Sequence, residues 1–411
     1  MTKCFLCEKF DLIPILDLGL SPIANNLESD ESKSKNSEKI PLILGKCQDG
    51  CGHIQVMQHV DQNVIFDNYL YTSSVSTTLT KHLSEITLHL DKKFGLNDKK
   101  FVVDIGSNDG TFLNSVKKYT SNFLGIDPAK NLADIANSKG LNTLNSFFTN
   151  SVAEQVVIEN RRADFIVSTN TFAHTPKIRD FVKGLRTLLS SDGVIVIEVH
   201  YLGAMLNSNA FDTIYHEHFS YWSLSNLVKI FSDFDLEVFD VELLPIHHGQ
   251  IRAFISHAGI FKPKKSVQDL LDKEMNQDIH GELLNNFSVQ VRKIKNNLRD
   301  LFTKIRSQGK VISGYGAPAK ASTMLSFLDF STSDINIIYD KSVLKQGKYL
   351  PGTSIMIASP DRISIDRPDY LFLFSWNFLD EISNELKEKF EFSGNLIVPI
   401  PELTITNINE L

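Results

Sequence analysis

No apolar run in this chain approaches a membrane span: stretches such as Val194-Ile195-Val196-Ile197 and Tyr370-Leu371-Phe372-Leu373-Phe374 are the size of single strands. The start, Met1-Thr2-Lys3-Cys4, carries no apolar signal segment, so a cytoplasmic protein without a membrane partner is expected. Positive charge is not in excess either. The formal net charge is −7 over 411 residues, with 22% charged and 42% hydrophobic residues, which is a globular composition and gives no electrostatic reason to expect nucleic acid. Cysteine is missing from everything after residue 51. The four that exist form Cys4-x2-Cys7 and Cys47-x3-Cys51, each pair on a short turn, and can converge on a tetrahedral thiolate site for zinc. Disulfides are the competing reading, which a reducing compartment disfavours. Four thiolates leave no open position, so such a metal holds the fold and does not act on substrate.

The length implies two or three domains. After Cys7 come short β-like pieces, then a polar run over 28–39 that lacks an apolar period and reads as a solvated loop inside a cysteine module closing near Tyr71. A helix is expected over 77–94. Alternation follows, with strand 101–105, helix 110–118, strand 122–126, helix 129–138, strand 164–169, helix 177–190 and strand 193–199. This order predicts a parallel, doubly wound sheet with its ligand at the carboxyl ends of the strands. From 266 to about 309 the sequence is charged, amphipathic and free of proline, as a long helical connector would be. A second alternating unit runs through strand 310–314, helix 317–328, strands 335–339 and 370–374, helix 378–389 and strand 396–399. The division is therefore 1–76, a zinc-binding domain; 77–262, a Rossmann-like α/β core; and 263–411, the connector with a second Rossmann-like domain.

The most informative stretch is 101–112, where an apolar strand ends in Asp104 and breaks into a turn punctuated by Gly106 and Gly110. Both glycines can take positive φ and bring backbone amides close to a ligand. The spacing is D-x-G-x-x-x-G, and an acidic strand end suits a cationic ligand better than a phosphate. Asp104-Ile105-Gly106-Ser107-Asn108-Asp109-Gly110 resembles the first motif of class I S-adenosylmethionine methyltransferases, whose ligand is a sulfonium with an ammonium tail. The alternative is an ordinary strand-turn-helix corner. A second strand ends in Asp127-Pro128, where a carboxylate can receive two ribose hydroxyls; a helix N-cap is the plainer role, and the two can coexist. Phe147, in Ser146-Phe147-Phe148, falls where this fold flanks adenine, or else belongs to the core. Asn170 and His174 sit past the next strand, at the mouth of the sheet.

Tyr215-His216-Glu217-His218 supplies a hydroxyl, a carboxylate and titratable bases, and lacks the H-E-x-x-H spacing of a metal site. With these residues in place, the whole chain resembles the sugar C-methyltransferases that act on nucleotide-linked 4-keto-deoxysugars. The resemblance rests on the cysteine pairs, Leu18-Gly19-Leu20-Ser21-Pro22-Ile23-Ala24-Asn25, the 104–110 motif, Tyr215-His216-Glu217-His218, and Gly314-Tyr315-Gly316-Ala317-Pro318-Ala319-Lys320. It implies a zinc domain, a central methyltransferase domain and a carboxyl-terminal Rossmann-like domain. It also implies His218 as the base that removes the proton beside the keto group, Tyr215 as its dyad partner, Glu217 holding the sugar, and Tyr71 and His174 as further active-site residues. The chain departs from the family at 247–252, where His247-His248-Gly249-Gln250-Ile251-Arg252 stands in place of a Gly-Gly-Ser-Leu-Arg-like segment, with Arg252 as a substrate contact. Lys320, and Lys345 and Lys348 in the loop 345–352, are cations that reach a pyrophosphate or are simply solvated.

The reading is a C-methyltransferase using S-adenosylmethionine, with a structural zinc ion, that methylates C3 of the sugar through an enolate. An O- or N-methyltransferase is the alternative within enzymes of this class. Gly314-x-Gly316-x-x-Ala319 with Asp340 downstream raises an NAD-dependent sugar oxidoreductase, against which Pro318 removes an amide that a pyrophosphate would want.

Overall fold

A computed structural model describes residues 3–410 apart from 59, 67, 68, 70, 247 and 248. His247 and His248, at the start of the divergent segment, therefore lie outside the described residues.

Three sheets organise the chain. The central one has seven strands in the order Leu236–Leu244, Gln250–His257, Leu189–His200, Ala163–Thr169, Val102–Ile105, Phe123–Asp127 and Thr143–Asn145. Its middle strands read as continuous apolar runs because helices cover both faces, as a parallel sheet requires. Val102 and Val103 are fully buried and pair in parallel with Phe123 and Leu124 on one side and with Phe165 and Ile166 on the other. The expectation of a wholly parallel sheet fails at one edge. Gln250–His257 runs antiparallel between Leu189–His200 and Leu236–Leu244. Two consecutive strands joined by a short connection form a hairpin, which no helix crossover separates. The carboxyl ends of the parallel strands bring Gly106, Asp127, Asn170 and His200 to one rim.

The carboxyl-terminal sheet has the order Met356–Ala358, Ile337–Tyr339, Ile312–Tyr315, Tyr370–Leu373, Asn395–Val398 and Thr404–Asn407, parallel except for its last strand. The connector is two helices, Lys265–Asn276 and Glu282–Ser307. They separate because Asp278 turns the chain at φ +44° and its carboxylate accepts the Glu282 N–H at 2.8 Å. The second helix buries Leu284, Phe287, Val291, Ile294, Leu298, Phe302 and Ile305, a stripe at three- and four-residue spacing that joins the core shared by the first and last sheets.

The amino-terminal sheet is antiparallel, Leu12–Ser21, Ile40–Cys47 and Ile54–Val56, and its fourth strand is Ser220–Tyr221 from beyond the central core. The polar run at 28–39 is not a solvated loop throughout. Asp30 caps a helix, Glu31–Lys35, by accepting the Lys33 N–H at 2.8 Å. Ser34 is fully buried, its hydroxyl donates to the Leu350 carbonyl at 2.7 Å, and its own carbonyl accepts the Gly352 N–H at 2.8 Å. The segment docks on the carboxyl-terminal unit through polar contacts, so apolar periodicity could not reveal it. Ser34→Ala is expected to cost about 1–2 kcal/mol in a denaturant titration, the cost of an unmet buried acceptor; a loss under about 0.5 kcal/mol would be that of a solvated position.

Candidate active site and cysteine centre

Cys4 and Cys7 face Cys47 and Cys51 across the first two strands of the amino-terminal sheet, with all four sulfurs within 4.8 Å of one another. Sγ of Cys4 lies 3.5 Å from that of Cys51, and Sγ of Cys7 lies 3.5 Å from that of Cys47. Thiolates about 2.3 Å from a central zinc stand roughly 3.8 Å apart in a tetrahedron, so the donor set fits zinc. Gly50 completes the cradle: a Cβ there would sit 2.3 Å from Cys47 Sγ and 3.1 Å from Cys7 Sγ. The thiols titrate unequally. Contact with Cys51, then burial, raises Cys4; burial pushes Cys47 up to about 11; burial also raises Cys7, but the Lys9 N–H and the neighbouring thiols outweigh it and hold Cys7 at about 7. A divalent cation offsets the repulsion that full ionisation of this cluster brings.

At the rim of the central sheet, Gly106 turns at φ +76°, and a Cβ would meet Thr171 Oγ1 at 1.8 Å, so only glycine fits. Gly110, at φ +80°, starts the helix Thr111–Val116 and packs on Leu141. Asp127 accepts the N–H of Asn108 and of Ala129, each at 2.8 Å, one on each carboxylate oxygen. Burial raises its pKa to about 6 against those two donors. Each oxygen keeps a further lone pair, which suits a diol. Asp104 lies beneath the loop, nearly buried and held up first by burial and then by Asp127. Ser107 is buried beside it, with its hydroxyl unpartnered.

Two cavities meet here. One of about 380 Å³ takes Gly106, Asn108, Asp127, Pro128 and Asn170 on one side, Tyr71, His174, Tyr215 and His218 on another, and Lys320 and Lys345 from the carboxyl-terminal unit. The other, of about 470 Å³, is lined by Phe147 and shares Gly106, Pro128, Thr171 and His174 with the first. Phe66 stands between them, edge-on to Phe147 at 5.8 Å and to His174 at 6.2 Å. A nucleoside that begins at Phe147 and Asp127 and ends at Gly106 and Asn170 spans both spaces, so the cavities fit S-adenosylmethionine.

In the first cavity the Tyr215 hydroxyl lies 2.7 Å from His218 Nε2, and His218 Nδ1 lies 2.9 Å from the Thr213 carbonyl. A carbonyl can only accept, so in the neutral ring Nδ1 carries the proton and Nε2 offers its lone pair, onto which Tyr215 donates. His174 and His200 flank this ring at 4.8 and 5.1 Å between centroids. Burial lowers His174 to about 4, so it is neutral at physiological pH. Glu217 is buried behind the wall, with Asn25 Nδ2 donating to both oxygens at 2.9 and 2.7 Å.

The remaining expected contacts are placed differently. Arg252 does not line either cavity; its guanidinium pairs with the fully buried Glu198 and with Glu242 at 3.1 Å, because a buried carboxylate needs a cation. Lys348 is likewise outside both, whereas Lys345 Nζ donates to the Ala317 carbonyl at 2.8 Å. Lys320 is half-buried, 3.3 Å from Asp212 and over the Trp376 ring at 4.8 Å. Asp340 accepts the Ala317 N–H at 2.6 Å and so closes its own glycine turn. Asn25, Phe66, His200 and Asp212 were not singled out from the sequence. Two of them carried a signal: Asn25 closes the 18–25 motif, and His200 directly follows the apolar strand expected over 193–199.

The sheet order, with one antiparallel strand inserted next to the last, and the acidic glycine loop define a class I S-adenosylmethionine-dependent methyltransferase. Family models match in three blocks: a zinc binding domain over 4–66, a methyltransferase domain over 79–241 and a C-methyltransferase C-terminal domain over 245–401. The chain is 34% identical over 402 residues to the C-methyltransferase NovU of Streptomyces niveus, covering 97% of this chain and 96% of that one. It belongs to this C-methyltransferase family. Solved structures with partial likeness include magnesium protoporphyrin IX methyltransferase from Synechocystis PCC 6803 (10% identity, 48% of this chain and 92% of that one, TM-score 0.35). An S-adenosylmethionine-dependent methyltransferase from Anabaena variabilis is 18% identical over 42% of this chain and 83% of its own, with a TM-score of 0.35. No helix among the described residues is long and apolar enough to cross a membrane.

Three outcomes follow. Elemental analysis should find one zinc per chain, and Cys47→Ala should lose it together with stability of the amino-terminal sheet. Asp127→Ala should weaken S-adenosylmethionine binding about 10- to 100-fold in calorimetry, the worth of hydrogen bonds to a charged acceptor. In the unmutated protein the affinity for S-adenosylmethionine should fall as pH drops through about 6, where Asp127 gains a proton and loses acceptor capacity.

Proposed function

We propose that this C-methyltransferase acts in the cytoplasm on a nucleotide-linked 4-keto-deoxysugar and methylates C3 through an enolate. One observation carries this reading: a histidine whose neutral form has a fixed tautomer, His218, presents its basic Nε2 and a tyrosine hydroxyl to the cavity that the glycine loop also lines. Methylation on oxygen or nitrogen starts from a lone pair; methylation on carbon first needs a C–H bond broken.

When bound, S-adenosylmethionine supplies a methyl group made electrophilic by the sulfonium. The chain's own residues make the nucleophile. Nε2 of His218 takes the C3 proton, and the C–H electron pair becomes the C3–C4 double bond. The Tyr215 hydroxyl turns from the imidazole to the oxygen that gains charge at C4. Burial holds Tyr215 well above its usual pKa, so it donates a hydrogen bond without ionising. The Thr213 carbonyl then stabilises the imidazolium through Nδ1, and neutral His174 adds no opposing charge. Lys320 and Lys345, at the opposite wall, fit the diphosphate of the sugar nucleotide.

Incubation with a 4-keto sugar nucleotide and a cofactor analogue in heavy water should place deuterium at C3, read by NMR. His218→Asn should abolish both exchange and methylation, by about 10²- to 10⁴-fold, with both ligands still bound. Tyr215→Phe should slow the reaction by a smaller factor. Near-normal turnover in the His218 variant removes it as the base, and a product methylated on oxygen overturns carbon methylation of this substrate.

A further inference from the structure

Glu217 is the acid of the catalytic stretch, yet it does not line the cavity that takes His218; Asn25 does. The two belong to segments 192 residues apart, and the contact between them joins the cysteine module to the catalytic loop. Asn25 follows Leu12–Ser21, the strand that pairs with Ile40–Cys47. Its neighbours are fixed as well: the Ala24 carbonyl accepts the Ser322 hydroxyl at 3.2 Å, and Glu28 bridges to Tyr349. The segment is wedged between the catalytic loop and the carboxyl-terminal unit, where it cannot turn away.

The chemistry of the pair sets its orientation. A carboxylate only accepts, so it must face the NH2 side of the amide, and the Asn25 Oδ1 is left as the group available to another partner. We propose that Asn25 is a positioning residue of the active site, which the cysteine module supplies to hold Glu217 as an oriented, ionised carboxylate beneath the chamber. The proposal rests on the catalytic reading of this stretch given above.

Electrostatics agree with the geometry. Burial raises Glu217 to about 7, opposed by the side-chain amide and the backbone N–H of Asn25. The other titratable groups facing it are Tyr69 and Tyr215, both held protonated by burial, and His174, whose ring faces the Glu217 carbonyl. None of them supplies a cation at neutral pH, so Asn25 is the principal stabiliser of the charge. Removing its donors disfavours the ionised form and moves the titration to higher pH.

The test is a direct titration of Glu217 by difference infrared spectroscopy, unmutated protein minus Glu217→Gln, without any methyl acceptor. The carboxylate band should appear with a midpoint near 7 in the unmutated protein. The midpoint should rise by about one pH unit in Asn25→Ala and further in the nearly isosteric Asn25→Asp, which sets a second carboxylate against the first. With substrate, the acid limb of kcat/KM should move with it, costing about fivefold at pH 7 and recovering near pH 9, and the shift should vanish in a Glu217→Gln background. In the unmutated protein the Asn25 side-chain amide resonances should follow the same titration and become flat in Glu217→Gln; this arm needs no Asn25 variant to fold. An unmoved midpoint in a folded Asn25 variant, or flat amide resonances, overturns the proposal. A protein that titrates as expected but leaves 4-keto sugar nucleotides unmethylated supports Asn25 as positioned here and removes the substrate reading instead.

Discussion

One hydrogen bond sets the chemistry of the chamber: Nδ1–H of His218 to the Thr213 carbonyl, 2.9 Å long. It assigns the tautomer of the neutral ring, directs the lone pair of Nε2 to Tyr215, and would offer a permanent dipole to the imidazolium that the proposed proton abstraction creates. It works only if residues 210–221 cannot relax, and that stretch is pinned from three directions. The carboxyl-terminal unit holds it by Trp376 Nε1–H on Asp212 at 2.8 Å and by the Thr323 hydroxyl on the Ile214 carbonyl at 2.9 Å. The central core holds it by the Phe219 N–H on the Ala173 carbonyl at 2.8 Å. The cysteine module holds it by Asn25 on Glu217, by His216 against the Pro41 carbonyl at 3.2 Å, and by pairing Ser220–Tyr221 as its fourth strand.

Such pinning carries an electrostatic cost that falls on the functional carboxyls. Glu217 and Asp127 are raised by burial to about 7 and about 6 from ordinary values of 4.5 and 3.8. For a carboxyl raised in the folded state, the stability it contributes is complete below its unfolded pKa and is lost as pH rises through the folded value. From roughly pH 4 to 7 the fold therefore loses that stability, and above about 7 both residues, ionised, work against the fold in full. Glu198 takes the opposite course. Burial raises it, but His82 at 2.7 Å and Arg252 more than offset this, so its pKa lies below the usual value and its ion pairs favour the folded state as pH rises. Arg252 is drawn into that balance, which explains why a cation expected at the substrate sits instead within the sheet.

Much of this was legible from sequence because it depends on local pattern. The acidic glycine turn at 104–110, the cysteine spacing and the strand-helix alternation are each set by neighbouring residues, and the observed strands Val102–Ile105 and Phe123–Asp127 fall within a residue of expectation. What stayed hidden depends on contacts far apart in the chain. Nothing local tells that Ser220–Tyr221 completes a sheet begun at Leu12, that Gln250–His257 inserts antiparallel, or that Asn25 meets Glu217. The helix Glu31–Lys35 was missed for a related reason: its burial is by hydrogen bonds to Leu350 and Gly352, and a polar anchor leaves no apolar period.

The cysteine module is small, and its core is continuous with that of the carboxyl-terminal unit: Leu16, Leu44 and Ile54 share one apolar cluster with Phe302, Tyr315 and Phe372. A short antiparallel sheet alone buries too little to hold the positions of Asn25 and Ala24 against thermal motion. A four-thiolate metal site at one end and docking at the other fix both ends of Leu12–Ser21, so the segment that follows meets the catalytic loop in one register. On the role proposed above for Asn25, the metal would then affect catalysis without touching substrate. Its loss should loosen the strand Leu12–Ser21 that leads into Asn25, and the first consequence in the chamber should be a Glu217 deprived of its donor, ahead of any change at His218 itself.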